Sequence, residues 1–163
     1  MAHLEKSLDV DVPVRTAYNQ WTQFEEFPRF MEGVREVRQL DEKNLRWRAG
    51  IAGHELEWTA EITQQEPDHR VGWRSTAGAF NAGNVTFESL GPSRTRVTLR
   101  LQYKPEGAIE KTGNAIGVVR TRIDRDLQRF KRFIESRQRE TGAWRGEIKG
   151  GEVRRHHQGG MPT

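Results

Sequence analysis

Five polar side chains share the apolar face of the strands that the sequence predicts, so they are the groups that could do chemistry in a buried site. They are Lys6, His54, Ser75, Ser89 and Tyr103. The Tyr103 hydroxyl could donate a hydrogen bond to a ligand carbonyl, which would be a binding contact. Ser75 has no predicted base near it, and His54 opens its strand, where it faces either the mouth of a pocket or water. The pattern offers hydrogen bonds to a bound molecule and predicts no catalytic residue.

Catalysis by a thiolate or a carboxylate pair, phosphate binding and metal binding all need residues that this chain lacks or does not place together. It contains no cysteine, which excludes thiolate nucleophiles, disulfides and cysteine-bound zinc. Glu55, Glu57 and Glu61 share the outer face of one strand, so no carboxylate pair for acid–base catalysis is predicted. No glycine-rich phosphate loop follows a strand, and the adjacent residues His156 and His157 are poorly arranged to bind one ion together. We therefore predict no metal site and no cofactor.

Large apolar side chains alternate along the predicted strands and indicate a pocket for a hydrophobic small molecule. Three of the five tryptophans fall on one face, and an indole combines a large apolar surface with one N–H donor, which suits a flat or conjugated ligand. Core filling is the alternative, most of all for Trp47. The predicted ligand-binding residues are Phe27, Phe30, Met31, Trp47, His54, Trp58, Trp73, Phe87, Leu101, Tyr103, Ile116 and Val119.

Alternation of apolar and polar residues with period two predicts the strands that carry this face. The first strand covers residues 3–12, and six more follow Gly33 as an antiparallel run joined by short turns, such as those at 41–44 and 67–69. One side of the run is apolar and aromatic, and the other carries Glu, Arg and Thr. A sheet with one wet face needs a second layer on its other face.

Two short helices are predicted between the first strand and the rest. Residues 14–22 form one, and the segment WTQFEEFPRFMEGV forms the other, bent at Pro28. Phenylalanines recur at every third residue of that segment. We expect Phe24 to lie in the core, and we expect Phe27, Phe30 and Met31 to border the pocket entrance.

A long amphipathic helix is predicted from about residue 108 to Arg137, because apolar side chains recur there at steps of three and four residues. Gly113 and Gly117 leave space between this helix and the sheet; a helix that begins only after Gly113 is the alternative. The arginines of the helix are interspersed with Asp124 and Asp126. Intrahelical ion pairs explain most of these charges.

The basic residues concentrate near the C-terminal end. The net charge is +4, and residues 129–157 contain nine basic and four acidic residues. Such a segment could contact nucleic acid, a ribosome or an anionic membrane; a solvated helix face followed by a soluble tail is the alternative. We predict one domain over residues 1–140 and a flexible, glycine-rich basic tail over residues 141–163.

The N-terminal residues bear on the cellular location of the protein. They alternate and carry charge, unlike a signal peptide. No apolar run approaches the roughly 20 residues that a membrane helix needs. The sequence therefore predicts a soluble cytoplasmic protein that is not an integral membrane protein, and no pattern in it predicts an oligomeric state.

Four stretches carry a likeness to a known family: VDVPVRTAYNQWTQFEEFPRFMEGVREV, PDHRVGWRS, GNVTFESLGPSRTRVTLRLQY and DLQRFKRFIESR. In this order and spacing, the sequence resembles the START-like (SRPBCC) superfamily, in its polyketide cyclase/dehydrase and coenzyme Q-binding branch, over nearly all of residues 3–137. The resemblance implies an α+β helix-grip fold, with a curved seven-stranded sheet around the long helix. It also implies a pocket for a lipid, polyketide, isoprenoid quinone or similar molecule. It does not imply catalysis, because members range from aromatase/cyclases to lipid carriers.

Three functions are compatible with these residues. The principal hypothesis is a carrier or binding module that holds a hydrophobic small molecule without a catalytic group. The second is a cyclase or dehydratase acting on a polyketide-like chain, for which at least two of Tyr103, His54 and Ser75 must converge in one cavity. The third is an interaction protein that uses the basic tail to contact a ribosome, nucleic acid or membrane.

Overall fold

Nine strands and three helices make up the part of the chain that the computed structural model describes, residues 2–51, 53–104 and 115–154. The strands are β1 (Ala2–Val10), β2 (Val34–Gln39), β3 (Asn44–Ile51), β4 (His54–Glu66), β5 (Arg70–Gly78), β6 (Asn81–Gly91), β7 (Arg94–Tyr103), β8 (Glu147–Lys149) and β9 (Glu152–Arg154). The helices are α1 (Val14–Trp21), a 3₁₀ helix (Phe24–Arg29) and α2 (Ala115–Arg137). The strand and helix order follows the prediction, with a short hairpin added at the end.

Seven strands pair in the order β1-β7-β6-β5-β4-β3-β2. All of these pairs are antiparallel, and the register brings Trp47 of β3 opposite Trp58 of β4. The register between β4 and β5 shifts twice, next to Thr59 and next to Ile62, and such bulges bend a strand and increase its twist. Since the chain leaves β1 at one edge of the sheet and enters β2 at the other, α1 and the 3₁₀ helix must cross its end.

Helix α2 covers the apolar face of the sheet. Leu127, Phe130 and Ile134 join the main core, and Val119 packs in a smaller cluster at the β1–β7 edge. Lys6, the polar exception on the apolar side of β1, forms an ion pair with Asp124 of α2 at 3.3 Å between Nζ and Oδ1. The predicted helix start near residue 108 and Gly113 lie outside the described residues. No helix in the described ranges is long and apolar enough to cross a membrane.

The phenylalanine-rich segment, which the sequence predicts as a short helix, is a 3₁₀ helix. A 3₁₀ helix has three residues per turn, so side chains three positions apart lie above one another. Phe24, Phe27 and Phe30 have this spacing, with ring centroids 5.6 and 5.4 Å apart along the series. Pro28 lies inside the helix and lacks the N–H that a continuing α-helix would use.

The chain after α2 differs from the expected flexible tail. Strand β8 pairs with the end of β4, placing Ile148 opposite Gln65, and Ile148 is fully buried. Trp144 packs against the main core. Arg145 donates hydrogen bonds from Nη1 to Asn19 Oδ1 at 2.7 Å and to Asp68 Oδ1 at 2.9 Å. Residues 141–154 therefore pack on the domain. The partly buried side chain of Trp144, the buried side chain of Ile148 and the hydrogen bonds of Arg145 hold them there.

Two glycines that suggested flexibility form the turn of this C-terminal hairpin. Strands β8 and β9 are joined by a two-residue loop, since Lys149 is opposite Glu152. Gly150 and Gly151 have φ values of +58° and +80°, and positive φ at both central positions is the requirement of the type I′ turn that suits a hairpin. Residues 155–163, including His156 and His157, lie outside the described residues.

We expect Ile148→Ala to lower the free energy of unfolding by about 2–4 kcal/mol, because the change opens a cavity in a fully buried position. The neighbouring Lys149 points its side chain to solvent, so Lys149→Ala should change the free energy by about 0.5 kcal/mol or less. Urea denaturation of both variants measures the difference. Equal stabilities would show that the hairpin does not belong to the folding unit.

Candidate functional site

A cavity of about 220 Å³ lies between the apolar face of the sheet, the 3₁₀ helix and α2. Its walls are mostly aliphatic and aromatic side chains, and its polar members are Asn81, Tyr103, Lys104, Arg122 and Asp126. The apolar and glycine lining residues are Trp21, Phe24, Phe27, Met31, Gly33, Val34, Leu45, Trp47, Ala49, Leu56, Trp58, Ile62, Val71, Trp73, Ala79, Phe80, Leu99, Leu101, Val119, Ile123 and Leu127.

A flat aromatic wall forms one side of the cavity. The rings of Trp47 and Trp58 are 5.7 Å apart and stacked within 8° of parallel, because the two residues are directly opposite on neighbouring strands. Phe27 meets Trp47 edge to face at 5.6 Å. The indole N–H of Trp73 donates to Asn81 Oδ1 at 3.0 Å, which satisfies this donor within the protein.

Eight of the twelve predicted ligand-binding residues line the cavity. They are Phe27, Met31, Trp47, Trp58, Trp73, Leu101, Tyr103 and Val119. Their location follows from strand alternation and helical spacing, whereas their contact with a ligand stays a prediction. The side chain of Ile116, a ninth residue in the prediction, lies outside the described residues.

Phe30 is not in the cavity lining, although we expected it at the entrance. Its side chain is 2% exposed, and its ring lies 5.4 Å from Phe27, 5.3 Å from Phe130 and 5.0 Å from Phe133. Phe30 therefore anchors the end of the 3₁₀ helix to α2 and is not part of the cavity lining. The three-residue spacing predicted a shared side of the helix correctly but did not indicate which neighbour each ring meets.

Phe87 and His54 also lie away from the cavity. Phe87 packs under α1, with its ring 5.5 Å from Tyr18 and 6.3 Å from Trp21. His54 is exposed at the start of β4, opposite Ile51 beside the turn. Strand alternation gives the face of the sheet but not the level along the strand, so it could not show that these two residues lie beyond the ends of the cavity.

The three residues proposed to assist catalysis do not converge. His54 is exposed, and Ser75 accepts a hydrogen bond on Oγ from the backbone N–H of Asn81 at 3.1 Å. Of the three, Tyr103 alone lines the cavity. Its hydroxyl is buried and has no hydrogen-bond partner in the described parts of the chain. Burial raises the pKa of this phenol, and the positive charge of Arg120 lowers it by a smaller amount.

Two charged residues of α2 line the cavity, although intrahelical ion pairs were expected to explain most of the charges of this helix. Asp126 is 5% exposed, and its Oδ1 accepts the backbone N–H of Glu32 at 3.2 Å. Arg122 donates from Nη1 to the backbone oxygen of Gly50 at 3.0 Å. Gly33 makes room for this guanidinium, because a Cβ there would overlap Nη1. Among the described residues, neither side chain forms an intrahelical ion pair.

Helical spacing contained the signal for these two residues. Val119, Ile123 and Leu127 mark the side of α2 that faces the sheet, and positions 122 and 126 fall between them at steps of three and four residues. Their charges made a solvated face the simpler interpretation. The burial of Asp126 depends on the packing of α2 against residues 31–34, a contact that helical spacing does not contain.

Burial raises the pKa of Asp126 to about 6 from its ordinary value of 3.8. Arg122, Arg129 and the Glu32 N–H oppose this shift because they favour the anion. The group is thus an anionic hydrogen-bond acceptor at neutral pH and a proton carrier in mild acid. A buried carboxylate with a raised pKa in a largely apolar cavity is a candidate functional group.

We expect Asp126→Asn to stabilise the fold at pH 7.5 by about 1–3 kcal/mol. The folded-state pKa of about 6 exceeds the ordinary value of 3.8, so between these values the unfolded chain binds fewer protons than the folded one. Stability attributable to this group therefore falls as pH rises from about 4 to 6 and stays low above that. Asparagine removes this loss and keeps an oxygen for the Glu32 N–H.

Urea denaturation of both proteins at pH 4.0 and pH 7.5 checks this expectation, with the stability difference nearly gone at pH 4.0. Asp124→Asn is the matched control, since Asp124 is half exposed and forms its ion pair with the partly exposed Lys6. It should shift stability by about 0.5 kcal/mol or less. A difference for Asp126→Asn that is the same at both pH values would contradict the assigned ionisation.

Comparison with known proteins agrees with this architecture. A family model described as polyketide cyclase / dehydrase and lipid transport matches residues 10–132. An uncharacterized 17.2 kDa protein from the melC2-rnhH intergenic region of Streptomyces lincolnensis is 46% identical over 149 residues, which is 91% of this chain and 99% of that protein.

Two solved structures share the fold. The Zhui aromatase/cyclase from Streptomyces sp. R1128 is 18% identical, with a TM-score of 0.72 over 87% of this chain and 98% of that one. A START superfamily protein from Mycobacterium smegmatis is 16% identical, with a TM-score of 0.63 over 83% of this chain and 95% of that one. They confirm the α+β helix-grip fold that the sequence predicted. The family model and the relative together show that the chain belongs to the polyketide cyclase/dehydrase and lipid transport family.

Proposed function

We propose that the protein binds a hydrophobic small molecule in the cavity, as a carrier or binding module. The observation that supports this most is the lining: four of the five tryptophans, Trp21, Trp47, Trp58 and Trp73, border one cavity of about 220 Å³. Concave sites lined by aromatic residues and a few polar groups are typical of small-molecule binding. The predicted residues that border this cavity are the ligand contacts.

The size of the cavity limits the ligand. An apolar cavity of about 150 Å³ is enough to bind benzene, so about 220 Å³ suits a compact molecule of one or two rings, or the end of a longer chain. If this volume stayed empty, the lost packing would correspond to about 5 kcal/mol at ~24 cal/mol per Å³. A domain of this size gains by keeping such a cavity only if something occupies it.

Titration of the intrinsic fluorescence with 2-methyl-1,4-naphthoquinone tests the proposal. This two-ring quinone quenches nearby indoles, and four of the five tryptophans border the cavity. We expect saturable quenching of most of the emission at about one equivalent of quinone, together with a shift of the melting temperature. Quenching that rises linearly without saturation would indicate collisions in solution and would contradict a binding site.

A second candidate is a cyclase or dehydratase reaction in the same cavity, and Asp126 is the observation that favours it. A carboxylate with a pKa of about 6 can accept a proton from the acidic carbon between two carbonyls and return it later. The Zhui aromatase/cyclase shows that the fold carries such an activity elsewhere. Incubation with a synthetic poly-β-keto thioester, followed by mass spectrometry, separates the candidates: a cyclised product that Asp126→Asn fails to form supports catalysis.

We propose the cytoplasm as the site of action, because a chain without cysteine fits a reducing compartment. A ribosome or nucleic-acid partner stays a hypothesis of the sequence alone. Arg129, Lys131, Arg145 and Lys149 of the basic segment form ion pairs with glutamate or aspartate at 2.7–3.9 Å. These pairs reduce the charge that the segment can offer to a polyanion.

A further inference from the structure

We propose that Asp126 selects the ligand by its polar group: the cavity takes a compact aromatic molecule with a hydroxyl group and rejects the equivalent carboxylate. This inference rests on the proposed function, because it names the class of molecule that the same cavity accepts. It also gives Asp126 a role that does not require catalysis.

The hydrogen bonds of Asp126 leave one acceptor for a ligand. Oδ1 accepts the N–H of Glu32, which leaves Oδ2 as the second acceptor of the carboxylate. The side chain is 5% exposed and borders the cavity. A ligand O–H that reaches Oδ2 gains a hydrogen bond to a charged group, which is stronger than a bond between neutral groups. A ligand carboxylate at the same place brings two like charges together.

The neighbouring cations offset this negative charge only in part, since burial outweighs the effect of Arg122 and Arg129 on Asp126. Within the described chain, Arg122 forms no ion pair with Asp126 inside 4.0 Å, and its Nη1 donates instead to the backbone oxygen of Gly50. Arg122 is partly exposed and the other lining cation, Lys104, is exposed, whereas Asp126 is buried. The two cations are therefore screened by solvent, and a polar group that enters the cavity meets the carboxylate at close range.

The walls favour a flat body for this molecule. The stacked Trp47–Trp58 pair presents planar surface to the cavity, and aromatic rings gain from offset or edge contacts with such surfaces. The volume of about 220 Å³ admits about two fused rings when compared with the benzene-binding cavity of about 150 Å³. A hydroxylated two-ring aromatic compound meets both conditions.

Three probes of nearly equal shape isolate the polar group: 2-naphthol, 2-methoxynaphthalene and 2-naphthoate. Isothermal titration calorimetry at pH 7.5 measures their affinities. We expect wild-type protein to bind 2-naphthol about tenfold or more tightly than 2-methoxynaphthalene, which has no donor, and about thirtyfold or more tightly than 2-naphthoate. This comparison needs no variant, so it stands even if a substitution impairs folding.

Asp126→Asn then tests whether the carboxylate is responsible. We expect the preference for 2-naphthol over 2-naphthoate to shrink by about tenfold or more, since asparagine is neutral and can donate to a carboxylate. The control Asp124→Asn, on the exposed side of the same helix, should keep the wild-type preference.

The outcomes separate this inference from the proposed function. Equal affinities for all three probes, or tighter binding of 2-naphthoate, would overturn the role of Asp126 and leave ligand binding in the cavity intact. An unchanged preference in Asp126→Asn would overturn it as well. Saturable binding of none of the probes and no quinone would refute the proposed function, and this inference with it.

Discussion

Replacing Phe30 by alanine is expected to lower the free energy of unfolding by about 3–5 kcal/mol, the range for truncating a buried phenylalanine. The side chain is 2% exposed and touches the rings of Phe27, Phe130 and Phe133 at centroid distances of 5.0–5.4 Å. It joins the 3₁₀ helix to α2. The sequence placed Phe30 at the entrance, and from that position a larger effect on ligand affinity than on stability would follow.

Urea denaturation of Phe30→Ala measures this effect. Leu40→Ala is the matched control, because Leu40 is a large apolar residue that is 53% exposed, and we expect it to change stability by about 0.5 kcal/mol or less. If Phe30→Ala lowers the free energy of unfolding by less than about 1 kcal/mol and weakens quinone binding, Phe30 lies at the pocket entrance. That result would contradict its packing against α2.

Ala49→Phe is expected to abolish ligand binding, with an affinity loss of about 100-fold or more. Ala49 lies on β3, is almost fully buried and borders the cavity between Trp47 and Leu56. A phenyl ring at this position extends into the space that a ligand would occupy. Such a ring fills a cavity that exists in the folded protein, so the fold should tolerate it better than overpacking of a solid core.

Quinone titration of Ala49→Phe measures the loss, and Ala77→Phe is the matched control. Ala77 lies on β5, is exposed and does not border the cavity, so the same substitution there should leave quinone affinity within about twofold of the wild type. Wild-type affinity in a folded Ala49→Phe variant would mean that the ligand binds elsewhere.

Much of the fold could be predicted because its periodicities are regular. Strand patterns from Val34 to Tyr103 gave the six-stranded run, and apolar steps from Val119 to Ile134 gave the helix that covers it. Both patterns are local in sequence and report directly on a face that must be buried. The family resemblance added the arrangement of these parts, which local patterns do not contain.

The C-terminal hairpin could not be predicted with the same rules. Only one residue of β8, Ile148, is both apolar and fully buried, so no alternation was visible. The neighbouring glycines are typical of mobile segments as well as of tight turns. What fixes the segment is long-range: pairing with the end of β4 and the bonds of Arg145 to Asn19 and Asp68.

The site was predictable for its apolar walls and not for its charged residue. Trp47, Trp58 and Trp73 follow from alternation because a strand has only two faces. Asp126 carries a charge, and a charge on an amphipathic helix is usually solvated. Its burial depends on the 31–34 loop lying across α2, a contact between residues 94 positions apart in the chain. The cost of that burial is the reason to assign it a function.

The most direct test is a crystal structure of the protein with 6-bromo-2-naphthol, in which the anomalous signal of bromine locates the compound. We predict one peak inside the cavity, beside the stacked pair of Trp47 and Trp58, with the hydroxyl within hydrogen-bond distance of Asp126. No peak in the cavity at a saturating concentration of the compound, with side chains filling the space instead, would contradict the account.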